Sequence, residues 1–158
     1  MTRRPVLVAA VCALQLGLVG VGVAAPLSAR LTGEQVRLRV APVDPVDPFR
    51  GAYVALDYPD LPLSPVAADG SSRGTVFVPL RRSGEVWTGG AATPERPSAA
   101  PYLACESDGW TVRCGIESWF VPQERASALQ DALVRREAVA TVRVDGRGHA
   151  ALVGLTVS

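Results

Sequence analysis

The sequence predicts a mainly β (α+β) protein, in which an N-terminal transmembrane helix precedes an antiparallel β domain of about seven or eight strands with one packed helix. An uncharged segment near the N-terminus is long enough to cross a bilayer. Several later segments alternate apolar and polar residues, which is typical of half-buried strands. One segment near the C-terminus repeats apolar residues at the spacing of a helix. We therefore divide the chain into residues 1–32, the tail and anchor, and residues 33–158, one domain.

The membrane segment begins at Val6 and ends at Ala25, and Gln15 is the one residue that interrupts its apolar character. Its length exceeds that of a typical signal-peptide core, which favours an uncleaved signal-anchor crossing the cell membrane once. Cleavage after Ala24 is the alternative, because small residues stand at the right offsets. Arginines lie on both sides of the segment, so the short N-terminal tail and the cysteines decide the orientation. They favour an extracytoplasmic C-terminal domain.

The cysteines are of two kinds. Cys12 lies in the apolar segment, where a small packing residue is expected. Cys105 and Cys114 flank a turn signal, and a hairpin of that length can bring them close enough for a disulfide. A disulfide fits an extracytoplasmic compartment, and two free thiols in a cytosolic hairpin are the alternative. Only His149 remains as a further zinc ligand, so we expect no metal site and no cofactor.

The other elements follow from periodicity and from turn residues. Residues 35–40 alternate apolar side chains with arginine and predict a strand. Residues 122–136 predict the one helix of the domain, with Pro122 at its first position and arginines at its C-terminal end. Connectors rich in proline and glycine separate the remaining strands. Those strands are predicted at residues 53–58, 75–80, 85–88, 102–105, 111–117, 139–144 and 150–157.

Two short motifs are the most informative stretches of the domain. One is Gly51-Ala52-Tyr53-Val54-Ala55-Leu56-Asp57-Tyr58, and the other is Gly115-Ile116-Glu117-Ser118-Trp119-Phe120-Val121-Pro122. With the apolar segment, they resemble the GDYXXLXY family of membrane-anchored bacterial proteins over most of the chain that follows the anchor. The chain departs from that family at Ala52, where the family has aspartate. The resemblance implies a membrane-protein partner and no particular biochemistry.

The first motif predicts a core strand that is entered through a glycine turn. Alternation places Leu56 and Tyr58 on one face, which we expect to be buried, and Tyr53 and Asp57 on the other. The alternative is that the polar groups near the strand form a surface that meets a partner. The motif and possible interaction residues are Arg50, Gly51, Tyr53, Leu56, Asp57, Tyr58 and Glu117.

No complete set of catalytic residues is visible. The chain lacks lysine, which excludes a lysine base or Schiff base, and no Gly-X-Ser-X-Gly motif accompanies His149. Glu117 lies at a strand-to-helix junction, where we expect an ion pair with Arg113 or Arg125 to fix it, and a ligand-binding carboxylate is the alternative.

The expected function is therefore a non-catalytic, membrane-anchored envelope domain that binds a membrane protein. The alternative is a small hydrolase or ligand-binding enzyme that uses Glu117, Asp57 or His149. Net charge is close to zero and no basic stripe is present, so we expect no binding of nucleic acid.

Overall fold

The computed structural model describes residues 3–42, 53–63, 73–120, 133 and 138–157. Within these ranges a long helix, α1 (Arg3–Thr32), precedes nine strands in two antiparallel sheets. The predicted class, mainly β with an N-terminal apolar helix, is confirmed. The strands are β1 (Glu34–Pro42), β2 (Tyr53–Asp57), β3 (Arg73–Ser83), β4 (Val86–Gly89), β5 (Tyr102–Asp108), β6 (Val112–Arg113), β7 (Ser118–Phe120), β8 (Ala138–Val144) and β9 (Ala150–Val157).

The two sheets share one core. The larger has the strand order β7-β2-β1-β8-β9 and the smaller β4-β3-β5-β6. In β1, Val36, Leu38 and Val40 are buried, whereas Arg37 and Arg39 between them are exposed, as the alternation predicts. Buried side chains from both sheets form a single cluster. The sheets therefore pack face to face, with the apolar side of each strand inward.

The chain crosses from one sheet to the other in a segment that the sequence predicted as one strand. Residues 111–117 are not continuous strand, because Gly115 has a left-handed backbone with φ of 79°. β6 ends before this glycine and belongs to the smaller sheet, and β7 begins after it and belongs to the larger one. This break is why nine strands are present where seven or eight were expected.

Helix α1 meets the domain at its C-terminal end. Ala29 is fully buried, and its carbonyl oxygen accepts a hydrogen bond of 2.9 Å from the amide of Gly33. Arg143 in β8 donates to the carbonyl of Gly33 through Nε at 3.1 Å. A Cβ at Gly33 would lie 2.3 Å from the Ala29 oxygen and 2.8 Å from the Val144 nitrogen, so only glycine fits at this joint.

The predicted helix at residues 122–136 lies outside the described residues except at Leu133. That residue is helical and only 3% exposed, within the cluster shared by the two sheets. Its burial agrees with the apolar stripe to which the sequence assigns it.

Candidate functional site

The two sequence motifs are direct neighbours in the larger sheet. β2 and β7 pair antiparallel, with Val54 opposite Trp119 and Ala55 opposite Ser118. The amide of Leu56 then donates a hydrogen bond of 2.9 Å to the carbonyl of Glu117. Residues more than sixty positions apart thus form one structural unit, which we call the paired motifs.

Tyr58 joins the paired motifs from inside the core. Its side chain is 1% exposed, and its hydroxyl donates a hydrogen bond of 2.7 Å to the carbonyl oxygen of Ile116. Burial, and then the negative charge of Glu117, raise the pKa of Tyr58 far above its ordinary value, so the phenol stays protonated and keeps its donor. Leu56 is 3% exposed. The predicted burial of Leu56 and Tyr58 is therefore confirmed.

Glu117 organises the turn between β6 and β7. Its carboxylate accepts a short hydrogen bond from the backbone amide of Cys114. Cys114 is bonded to Cys105 in the disulfide that the sequence predicts, with their Cα atoms 4.2 Å apart. Of the two arginines expected to pair with Glu117, Arg125 lies outside the described residues, and no ion pair with Arg113 is found within them. The hydrogen bond from the Cys114 amide holds the turn and leaves less of the carboxylate for a ligand.

The other motif residues are in different environments. Asp57 is exposed on the outer face of β2. The backbone of Tyr53 pairs with Phe120, and its side chain lies outside what the structure describes. Arg50 and Gly51 also lie outside the described residues. Of the residues predicted to meet a partner, Asp57 is therefore the one that the structure places on the surface.

A cleft of about 370 Å³ separates the paired motifs from the C-terminal end of α1. One wall is the last part of α1, with Pro26 and Arg30, and a second is β7, with Trp119 and Phe120. The first residues of β9 complete the cleft. The cleft could not be predicted from the sequence, because nothing in the local pattern indicates that β7 and the start of β9 both lie beside the end of α1.

A buried carboxylate connects the helix to the turn between β8 and β9. Asp145 is 4% exposed, and its Oδ2 accepts a hydrogen bond of 2.7 Å from the hydroxyl of Ser28. Its Oδ1 accepts from the amides of Arg147 at 2.8 Å and His149 at 3.0 Å. Burial acts to raise the pKa of Asp145, and the hydrogen bonds from Ser28, Arg147 and His149 outweigh it, so the pKa lies below its ordinary range.

The same carboxylate holds the only histidine. Nδ1 of His149 lies 3.0 Å from Oδ2 of Asp145, the oxygen that also receives the Ser28 hydroxyl. A catalytic triad needs the serine on the imidazole, whereas here both groups contact the acid. Within the described ranges, no group of three or more His, Cys, Asp and Glu side chains is arranged as metal ligands would be. The sequence analysis singled out His149 but not Ser28 or Asp145, whose contact depends on tertiary packing.

Comparison with known proteins gives one match. The model of the GDYXXLXY protein family covers residues 15–155, which include the C-terminal part of α1 and both motifs. No curated protein and no solved structure matches the chain. Because the family match extends over most of its length, this chain belongs to the GDYXXLXY protein family.

Proposed function

We propose that this protein is a membrane-anchored, non-catalytic envelope domain that binds a membrane-protein partner. The observation that carries the proposal is the contrast between the two ends of α1. Its apolar side chains face outward, with Leu16 73% and Val21 78% exposed, while its last turn is fixed to the domain. The most apolar 18-residue window of residues 5–32 has a mean hydropathy of 2.4 and is not buried. A bilayer, or a bilayer with a second transmembrane helix, is the environment that such a surface requires.

The joint between helix and domain supports a role beside the membrane. Ser28 is bonded to Asp145, Ala29 is buried, and Gly33 is enclosed by the backbone on both sides. A domain joined in this way keeps a fixed height and direction relative to its anchor, unlike a domain on a flexible linker. That arrangement suits a partner that lies in the same membrane.

Three observations support a non-catalytic role. One carboxylate oxygen of Glu117 accepts from the Cys114 amide, and Nδ1 of His149 is held by Asp145. Asp57 lies exposed on a strand instead of in a cleft. An activated nucleophile would be bonded to such a base, and among the described residues no hydroxyl or thiol is hydrogen-bonded to Nε2 of His149 or to the second oxygen of Glu117. These three side chains, which the enzymatic alternative would use, are therefore better explained as parts of the fold and its surface.

The disulfide supports the proposed location of the domain. Cys105 and Cys114 are bonded between β5 and the turn after β6, and the sulfur atoms lie in the core cluster. Disulfides of this kind persist in oxidising compartments. Together with the short N-terminal tail, this favours a single-pass protein whose domain lies outside the cytoplasm.

The anchor itself is tested by mass and extraction. The intact mass of the purified protein and its resistance to carbonate extraction show whether α1 is retained. A mature chain that begins near Ala25 and is released as soluble protein would refute the anchor.

The partner is tested by purification of the full chain from solubilised membranes. We expect a multi-spanning membrane protein to co-purify with the wild-type protein and with the control Glu95→Arg, an exposed loop position. Asp57→Arg should lose that partner without a change in melting temperature. If no membrane protein is enriched above an unrelated anchored protein, or if Asp57→Arg retains the partner, the proposed surface is wrong. Turnover of an envelope substrate that Glu117→Gln abolishes at unchanged stability would instead establish an enzyme.

A further inference from the structure

We propose that the cleft beside the end of α1 binds a phospholipid from the leaflet in which that end of the helix lies. Arg30 would bind the phosphate, and Trp119 and Phe120 would contact the glycerol and the tops of the acyl chains. The proposal rests on the membrane anchoring proposed above and adds a ligand site that the partner-binding role does not require.

The position of the cleft along the helix axis places it in the headgroup layer. A helix rises about 1.5 Å per residue, so the twenty residues that end at Ala25 cover about 30 Å, the thickness of the hydrocarbon core. Pro26 and Arg30, which line the cleft, then lie about 1.5 and 7.5 Å beyond that core. The polar layer on each side of a bilayer is about 5–7 Å thick. Lipid phosphates and glycerol groups therefore lie at the height of the cleft.

Arg30 is available for an anion. Its side chain is exposed, and within the described part of the chain no hydrogen bond or ion pair to it is found. An arginine in a last helical turn often serves the carbonyls there, but two carbonyls near the end of α1 have other donors. The Ser28 carbonyl accepts from the hydroxyl of Thr32, and the Ala29 carbonyl accepts from the amide of Gly33. The guanidinium is thus left to face the cleft, where its donors match the geometry of a phosphate.

The opposite wall of the cleft suits the interfacial part of a lipid. Phe120 is 78% exposed, and Trp119 is half-buried and also packs against the core cluster. They are consecutive residues of β7, and both line the cleft. Aromatic side chains, and tryptophan above all, concentrate at the level of the headgroups because one end is apolar and the other can be hydrated. Leu152 and two alanines of β9 complete the apolar side.

The charge and the size of the cleft agree with this ligand. Asp145, the acid of the turn between β8 and β9, is bonded to Ser28, Arg147 and His149, and among the described residues no ion pair joins it to Arg30. At about 370 Å³ the cleft is near the lower end of small-molecule pockets, roughly 300–1,000 Å³. It has room for a phosphate and glycerol unit but not for a whole lipid, whose chains would remain in the bilayer.

Fluorescence quenching locates the lipid. The chain has three tryptophans, Trp87, Trp110 and Trp119. A full-length variant that keeps only Trp119 (Trp87→Phe, Trp110→Phe) is placed in nanodiscs of phosphatidylglycerol brominated at the tops of its acyl chains. A matched variant keeps only Trp110, which is 70% exposed but does not line the cleft. We expect strong quenching of Trp119 and little of Trp110. No quenching of Trp119, or equal quenching of both, would overturn the proposal.

Titration identifies the group that binds the phosphate. Phosphatidylglycerol is added to the Trp119-only protein in detergent, and quenching is compared among Arg30→Gln, Arg30→Lys and the control Arg81→Gln, an exposed arginine of β3. Loss of one charge-assisted interaction should raise the half-saturating concentration at least about tenfold in Arg30→Gln. Arg30→Lys should recover most of the binding, and Arg81→Gln should match wild type. Equal binding by Arg30→Gln and Arg81→Gln would contradict the assignment.

Three further results would also overturn the proposal that the cleft binds a phospholipid through Arg30. Brominated diacylglycerol that binds as well as phosphatidylglycerol would show that the phosphate is not recognised. Inorganic phosphate that displaces the lipid at low millimolar concentration would indicate a site for the free ion. Loss of a co-purifying membrane protein in Arg30→Gln, with lipid binding unchanged, would make the cleft a protein contact. Carbonate extraction separates all of these from failure of the anchor, because a released protein would fail that test independently.

Discussion

Replacing Tyr58 by phenylalanine should destabilise the fold through a single lost hydrogen bond. The ring stays in the core, so no cavity forms, and the change removes only the hydroxyl that donates to the carbonyl of Ile116 at 2.7 Å. Tyr58 and Ile116 are 1% and 0% exposed, so water cannot replace the donor. An unsatisfied buried acceptor costs about 1–3 kcal/mol, and we expect about 2 kcal/mol for Tyr58→Phe.

That free energy converts into a measurable change in melting temperature. With an unfolding entropy of about 2.1 cal/mol/K per residue over about 125 residues, a loss of 2 kcal/mol lowers the Tm by about 8 °C. The assay is thermal unfolding of the full-length protein in detergent, followed by tryptophan fluorescence. Tyr102→Phe is the matched control, because that hydroxyl bonds the exposed Arg96 and Gly146, where water can substitute. The control should lose less than half as much.

An alkaline titration tests the same contact by a second route. Burial and the charge of Glu117 raise the pKa of Tyr58 in the folded state above the ordinary value near 10. Below pH 10 the phenol is protonated in both states, so its contribution is constant; above pH 10 only the unfolded state loses the proton, and stability falls. Wild type should therefore lose about 1.4 kcal/mol more than Tyr58→Phe by pH 11. Equal melting temperatures of wild type and Tyr58→Phe at pH 7, or an equal loss of stability in both proteins above pH 10, would refute the hydrogen bond.

Three other predictions test the disulfide and the contacts between α1 and the β domain. Reducing the Cys105–Cys114 disulfide should lower the free energy of unfolding by about 2.5 kcal/mol for a loop of about ten residues. Alkylation of unreduced, denatured protein should label Cys12 alone, and labelling of Cys105 and Cys114 would contradict the disulfide. Gly33→Ala should cost about 3 kcal/mol through backbone contacts of 2.3 and 2.8 Å, measured as a lower Tm, whereas a neutral result would mean that the helix end is not docked. Asp145→Ala should cost about 2–3 kcal/mol. Because the pKa of Asp145 is lowered, the stability that its carboxylate contributes is present above about pH 4 and lost below it. The variant should therefore show a weaker acid dependence in thermal melts, and an unchanged acid dependence would count against the hydrogen bond between Ser28 and Asp145.

Local pattern was sufficient to predict the helix, most strands and the residues that are buried in them. Period-two alternation indicated that Val36 and Leu38 face inward, as does Leu56 of the first motif, and all three are buried. The cysteine pair followed from the length and turn residues of one hairpin, which is a local property as well. These predictions needed no information about how distant segments meet.

The site depended on contacts that local pattern does not encode. β2 and β7 pair across more than sixty residues, and Ser28 meets Asp145 at a separation of 117 residues. The change of sheet at Gly115 was missed because alternation on either side of a glycine looks the same whether the strand continues or turns. Without that turn, β7 could not be placed beside the end of α1. The cleft, and the position of Arg30 in it, could therefore be seen only in the folded chain.

The first of the paired motifs is buried in the core, and the second leaves aromatic side chains partly or largely exposed. This difference explains why the residue types of the two motifs differ so much. The first motif supplies Leu56 and Tyr58, which fill the core and fasten the turn that precedes β7. The second supplies Trp119 and Phe120, whose side chains are partly or largely exposed on the strand that the first motif holds. Since Ser28 near the end of α1 is bonded to Asp145 in the turn before β9, the fold also fixes where these aromatics lie relative to that end of the helix. Variants of the first pair should thus lower stability and lipid binding together. Trp119→Ala should also lower both, because the half-buried indole packs against the core cluster. Phe120→Ser changes a side chain that is 78% exposed and should reduce lipid binding at an unchanged Tm, and a lower Tm in that variant would mean that Phe120 serves the fold.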